Sequence, residues 1–215
     1  MDKTMLDKLN EGRQYRNIDV SAFERRAEDD SKIVEGYATT FNQPYVLWSY
    51  DGYTVLEQID NRAFDETDMS DVIMQYDHEG RVFARLSNKT LELNADSHGL
   101  HIRADLGGTE IGRQLFEEIA GGYTTKMSFG FRVGEDKREV TEDHENNTVT
   151  VLRTITKISK LYDVSAVSLP ANDGTSISSR NFAEGVIEEV RKEIAKREER
   201  ERQKKRIKIL TEVHK

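Results

Sequence analysis

The sequence predicts an α+β, barrel-like domain built mostly from strands, followed by a charged helix, and three observations carry that expectation. Short apolar segments alternating with polar residues recur between Ile33 and Leu169, separated by turn-forming residues. Within that span one stretch switches to helical spacing, with Ile111, Leu115, Phe116 and Ile119 on one face. Beyond Phe182 the composition changes abruptly to Glu, Lys and Arg.

The elements follow in order. Residues 1–30 are polar and irregular, with the charged cluster Glu24-Arg25-Arg26-Ala27-Glu28-Asp29-Asp30, and read as an N-terminal arm or a lead-in strand. Lys32–Thr39 has the β-branched and aromatic content of a strand, and Asn42-Gln43-Pro44 turns the chain. Tyr53–Ile59 is a second strand. Ala63-Phe64 and the acidic run after it suit a short helix, before Val72–Tyr76 delivers the chain to Asp77-His78. Thr90–Asn94 and Gly99–Leu106 read as a hairpin around Asp96-Ser97-His98-Gly99. Thr109 caps the helix that follows, and Gly121-Gly122 ends it.

That helix leads directly into Met127–Phe131. A polar insertion from Gly134 to Asn147 reads as a loop or flexible lid. Thr148–Leu152, Ile155–Ile158 and Leu161–Leu169 are further apolar strand segments, and Pro170 breaks the last of them. Residues 31–180 therefore read as one domain and 183–215 as a charged helical extension, with the boundary between Ser178 and Ala183.

Composition narrows the function classes. The chain has 215 residues, 36% of them hydrophobic, enough for one sizeable core, while 33% are charged. Cysteine is absent, which excludes a disulfide framework, a thiolate metal site and a cysteine nucleophile, and suits a reducing cytoplasm. Met1–Lys8 lacks the apolar run of a signal peptide, and no apolar run of about 18 residues marks a membrane span. The net charge of −8 is uneven: residues 183–215 hold 11 Lys/Arg against 8 Asp/Glu, a net of +3, which leaves −11 on the rest. So acidic a body argues against direct nucleic-acid recognition. Asp77-His78-Glu79 lacks a second histidine at ligand spacing, so no metal is expected there, and Gly107-Gly108-Thr109 lacks the lysine of a phosphate loop. No cofactor is called for.

Ser128 lies between Met127 and Phe129, a hydroxyl among bulky apolar neighbours. A serine attacks a carbonyl only if a base accepts its proton, and histidine is the usual base. A third, acceptor group then fixes the imidazole tautomer. His78 upstream and Asp163 downstream are the candidates for these roles. Sequence distance neither forbids nor establishes such a triad; on the residues alone, Ser128 reads as a small packing residue and His78 as a solvated turn residue. Gly130 fits either a close backbone approach or a bulge.

Motif order adds what spacing lacks. Glu35-Gly36-Tyr37-Ala38, then Glu57-Gln58-Ile59 with Ala63-Phe64, Asp77-His78, Met127-Ser128-Phe129-Gly130-Phe131, and Leu161-Tyr162-Asp163-Val164-Ser165-Ala166-Val167-Ser168-Leu169-Pro170-Ala171-Asn172 together resemble the caudovirus prohead serine protease family. The resemblance spans roughly Ile33 to Asn172. It implies a mostly antiparallel β-barrel with surrounding helices, similar to the herpesvirus assemblins, and a serine endopeptidase that cleaves capsid and scaffold proteins during head maturation. It also implies Ser128 as nucleophile, His78 as general base and Asp163 as the orienting acid. Asp163 stands where the family usually carries glutamate, one methylene longer, and Arg62 where a glycine commonly precedes Ala63-Phe64. Assemblins use a second histidine as third member, which makes His98 and His101 alternatives to Asp163.

The resemblance further implies the major capsid protein and scaffold as partners, with self-cleavage and a homodimer or higher oligomer as further expectations. It places the enzyme in the host bacterial cytoplasm, inside the assembling procapsid. His144, in the polar insertion, reads as a surface residue. Residues 183–215 form a helix with a narrow apolar strip, suited to a scaffold contact or a solvated face. A different class of function, a non-catalytic capsid-assembly module acting through that helix, is the alternative.

Overall fold

A computed structural model of the chain describes residues 12–18, 24–25, 31–167 and 177–213. These residues form, in order, β1 (Gln14–Ile18), β2 (Glu24–Arg25), β3 (Ile33–Thr40), β4 (Tyr45–Tyr50), β5 (Tyr53–Ile59), β6 (Ile73–Tyr76), β7 (Glu79–Arg85), β8 (Leu91–Ala95), β9 (Gly99–Asp105), α1 (Glu110–Ala120), β10 (Lys126–Asp143), β11 (Thr148–Val167) and α2 (Ile177–Val213). The expected Pro170 break and Pro170-Ala171-Asn172 element lie outside the described residues.

The strands make two sheets. The larger, seven-stranded sheet runs β1-β10-β11-β5-β4, with β6 also on β11 and β7 on β6; the smaller runs β2-β3-β9-β8. Pairing is mostly antiparallel, but β11 pairs in parallel with β5 through its first half and with β6 through its second. This corrects the expectation of a barrel. One long strand with two successive partners on the same side branches the sheet, and β1 and β4 are left as separate edges.

The main core lies where the larger sheet meets β3, β9 and α1, and includes Phe129, Phe131, Ile102, Ala38, Leu115 and Phe116. Thr109 caps α1 by accepting from the Gly112 N–H at 3.0 Å, and the Gly121 N–H donates back to Glu117, as the sequence predicts. A second core forms where Ala183, Val186, Ile187 and Val190 of α2 bury against Leu47, Val55 and Val151. Each buried Val, Leu or Ile side chain there contributes about 1.5–3 kcal/mol. The rest of α2, residues 195–209, is almost wholly exposed.

Several segments differ from expectation. Residues 61–66, around Ala63-Phe64, form turns rather than a helix. The polar insertion is neither loop nor lid: Glu135–Asp143 continues β10 and pairs with β11 as far as Asp143↔Thr148. Its row of exposed charges is what blunts an edge strand. Strand β4 was not anticipated, although Asp51-Gly52, with φ of 52° and 76°, makes the tight turn into β5 that this dipeptide favours. Gln14–Ile18, within the polar N-terminal stretch, joins the sheet as β1.

Strand β5 places Val55, Glu57 and Ile59 on its buried face, so a carboxylate sits at an apolar position. Glu57 accepts from Arg16 of β1 at 3.0 Å, from Arg153 of β11 at 2.7 Å and from Tyr45 of β4 at 2.6 Å, and Arg153 also pairs with Asp136. Burial pushes the Glu57 pKa up, but the two guanidiniums outweigh it and hold the group at about 2. Ionised Glu57 therefore contributes stability in full above its ordinary value of 4.5, and that contribution is lost as pH falls toward 2. Glu57→Gln, which leaves two buried guanidiniums short of a carboxylate, is expected to lower stability by about 3–5 kcal/mol at pH 7 in urea titrations. It should also flatten the loss of stability between pH 4.5 and 2; an unchanged acid titration would show that the cluster is not the source.

Candidate active site

Three adjacent strands of the larger sheet carry the candidate residues. The β10–β11 ladder sets Ser128 opposite Ser165 and Gly130 opposite Asp163. Side chains two apart on a strand share a face, so Ser128, Gly130, Asp163 and Ser165 form one patch, while Phe129 enters the core from the other side. Strand β6 lies parallel to β11 with Gln75 beside Ser165 and Tyr76 beside Ala166, and the next two residues turn back over β11. In that turn Asp77 and His78 both have positive φ, 49° and 61°, which costs of order 1–3 kcal/mol each. The Asp77 N–H, donating to Ala166 O at 2.9 Å, holds the turn against the strand.

The turn brings the imidazole between the two strand side chains. His78 Nδ1 bonds Asp163 Oδ1, and His78 Nε2 lies 2.6 Å from Ser128 Oγ. Ser165 Oγ donates to the same Asp163 oxygen at 2.9 Å. With a carboxylate at Nδ1, the tautomer that fits is Nδ1–H donating to Asp163 and Nε2 accepting from Ser128. All three residues are buried: His78 is 6% exposed, Asp163 1% and Ser128 0%. A short aspartate suffices because the His78 turn folds back over the strand that carries it. His101 lies on β9 of the smaller sheet and His98 in the turn just before it, and both flank the ring of Tyr37, at 5.1 and 4.5 Å between centroids. His144 is exposed at the tip of the β10–β11 hairpin.

Sequence reasoning missed the neighbours from β1. The Tyr15 ring lies against the His78 imidazole, with centroids 4.3 Å apart, and the Arg16 carbonyl oxygen stands 3.0 Å from Ser128 Oγ, a second acceptor for its one hydrogen. Burial and the negative charge of Asp163 push the Tyr15 phenol up to about 12. Nothing in the polar N-terminal stretch marked these residues. Glu57 did carry a signal, a charge at an inward position of an alternating strand.

Gly130 has a specific task. A Cβ built there would meet Asp163 Oδ2 at 2.3 Å and Tyr15 Cε1 at 2.9 Å, so the carboxylate occupies space that any other residue would fill. A register shift follows between Gly130 and Phe131, so the glycine also marks a bulge.

A cleft of about 570 Å³ runs beside the histidine turn, lined by Tyr76, Asp77 and Glu79 together with Ile111, Leu115 and Glu118. Another, of about 600 Å³ around Asp60, Arg62, Glu66 and Lys157, contains none of the three residues. Among the described residues no group of three His, Asp or Glu side chains is placed to hold a metal ion.

Such an arrangement is able to move a proton from Ser128 to His78 while Asp163 stabilises the imidazolium, the chemistry of acyl transfer. The family model for the caudovirus prohead serine protease matches residues 17–193. No curated protein matches the chain. Among solved structures, the bacteriophage T4 capsid assembly protease is similar at a TM-score of 0.37 and 12% identity, over 72% of this chain and 96% of that one.

Gly130→Ala is expected to displace the Asp163 carboxylate and slow labelling of Ser128 by a fluorophosphonate probe about a hundred-fold, the cost of a misplacement of roughly 1 Å. Circular dichroism should show the fold retained. Labelling at the wild-type rate would mean that the carboxylate position does not matter to Ser128.

Proposed function

The chain belongs to the caudovirus prohead serine protease family and is a serine protease, and from that premise we propose that Ser128 is its nucleophile, His78 its general base and Asp163 the acid that orients His78. The observation that carries this assignment is the continuous chain of contacts from Asp163 through His78 to Ser128, with Nε2 at 2.6 Å from the hydroxyl oxygen.

The steps follow from those contacts. Ser128 Oγ forms a bond to the carbonyl carbon of the scissile peptide as its proton passes to His78 Nε2, and Asp163 stabilises the resulting imidazolium. Collapse of the tetrahedral intermediate breaks the C–N bond, and the leaving amine takes the proton from His78. Water then repeats the sequence on the acyl ester, releasing the new carboxyl end and restoring Ser128. The intermediate's oxyanion needs donors of its own.

The substrates proposed are capsid and scaffold proteins of the assembling prohead, inside the procapsid in the host bacterium, with the chain itself as a further substrate. What supports this is the family and its head-assembly role. The cleft beside His78, with Asp77, Glu79 and Ile111 in its walls, is suited to receive substrate side chains. The exposed second half of α2 is the surface proposed to meet a scaffold partner. A non-catalytic assembly module gains no support from an intact contact chain at the nucleophile.

Co-expression with the capsid and scaffold proteins of the same phage tests the reading. Wild type is expected to yield cleaved fragments by mass, and Ser128→Ala none; identical products from both would reject Ser128 as nucleophile. Asp163→Asn should keep the fold but slow cleavage by up to about 10⁴-fold, because the amide favours the wrong imidazole tautomer. A fully active, folded Asp163→Asn variant would remove Asp163 from the mechanism.

A further inference from the structure

Strand β1 closes over the reacting groups. The Arg16 carbonyl stands 3.0 Å from the Ser128 hydroxyl, Tyr15 covers the His78 ring, and Ser128 has no exposed surface. A peptide carbonyl of the chain itself thus stands against Ser128, where a substrate carbonyl has to come. The ladder itself, antiparallel with Tyr15↔Gly130, Arg16↔Phe129 and Asn17↔Ser128, is the geometry in which an extended peptide adds to a sheet edge.

We propose that the edge of β10 from Met127 to Phe131 is the docking site for an extended segment of protein substrate, which adds as an antiparallel strand, and that β1 occupies this site in the resting chain as an intramolecular inhibitor. The inference rests on Ser128 being the nucleophile.

Two features make β1 an inhibitor rather than one more strand. The first is proton competition. A serine hydroxyl has one hydrogen, and with β1 in place two acceptors face it, the Arg16 carbonyl at 3.0 Å and His78 Nε2 at 2.6 Å. Removing β1 leaves His78 as the acceptor of the two. The second is a latch: the Arg16 guanidinium, 4% exposed, is bound to Glu57, which Arg153 and Tyr45 hold from neighbouring strands. The strand that hides the nucleophile is thus fastened by the side chain of the residue whose carbonyl does the hiding.

The chain has no cysteine, so a pair introduced as Ile18→Cys and Met127→Cys has no competing thiol. These residues are register partners in the ladder, the placement that suits a cross-strand disulfide. The full chain carrying both substitutions is treated with a fluorophosphonate probe, oxidised and then reduced, and labelling of Ser128 is followed by intact mass. With the cross-link verified by loss of free thiol, the oxidised form is expected to label at least about ten-fold more slowly than the reduced form. Arg16→Ala, which removes the latch, is expected to label about ten-fold faster than wild type; if it fails to fold, the cysteine pair decides alone. Equal labelling in the oxidised and reduced forms would overturn the inference while leaving Ser128 as the nucleophile. A Ser128 that stays unlabelled in wild type, in the reduced pair and in a folded Arg16→Ala would overturn the nucleophile assignment, and this inference with it.

Discussion

Strand β11 holds three ladders at once, and the geometry of the larger sheet follows from them. Along its length it pairs with β10, over its first half in parallel with β5, and over its second half in parallel with β6. The β10 ladder fixes which face Ser128 shares with Asp163, and the β6 ladder fixes where the turn carrying His78 begins. A slip of one residue in either would send a side chain to the opposite face. Such a slip is opposed by the whole inward set, because Phe129, Val164 and Met74 would leave the main core together. The packing of large apolar side chains thus sets the placement of a few small polar ones.

Two carboxylates are buried in this sheet, and they are stabilised differently. Glu57 has two guanidiniums and a phenol, and its charge is held down to about pH 2. Asp163 has one imidazole and one hydroxyl on Oδ1, while Oδ2 has no hydrogen-bond partner among the described residues and rests against Gly130 and Tyr15. The first arrangement is one that resists change. The second leaves a carboxylate whose demand is met most fully by a positive charge on His78, which is what the proposed proton transfer from Ser128 would give it. The same strand, β1, supplies the Arg16 that satisfies the first carboxylate and the Tyr15 that closes over the second.

Much of the fold was legible because local signals agreed with tertiary ones. Strands β5, β8 and β9 have the alternation their burial requires, and α1 has both its cap and its glycine stop. The segments that sequence reasoning misread share a cause. The outer half of β10 is polar on both faces because it is a solvent-facing edge, so no period betrays it. Strand β1 is held by one buried ion cluster and a backbone ladder rather than by an apolar stripe. Sheet closure depends on which strands find each other across the chain, and no local pattern encodes that β11 takes both β5 and β6. The candidate site was legible only as residues in motif order; the vacancy at Gly130 that admits the Asp163 carboxylate is a property of two strands in register, which neither displays alone.

The balance between β1 and an incoming substrate strand is set by side chains and concentration rather than by the ladder. When one extended segment replaces another on β10, the main-chain hydrogen bonds gained match those lost, so their net contribution is small. Displacing Arg16 is what costs: Glu57 is then left with Tyr45 and with an Arg153 that it shares with Asp136, and breaking such a buried pair is worth about 3–5 kcal/mol. Strand β1 is also tethered, and a short tether gives an effective concentration on the order of millimolar. A dilute substrate loses that competition. Together the tether and the ion cluster favour β1 by more than crowding alone offsets, so a segment of substrate displaces it only where its own side chains replace the contacts that Arg16 gives up.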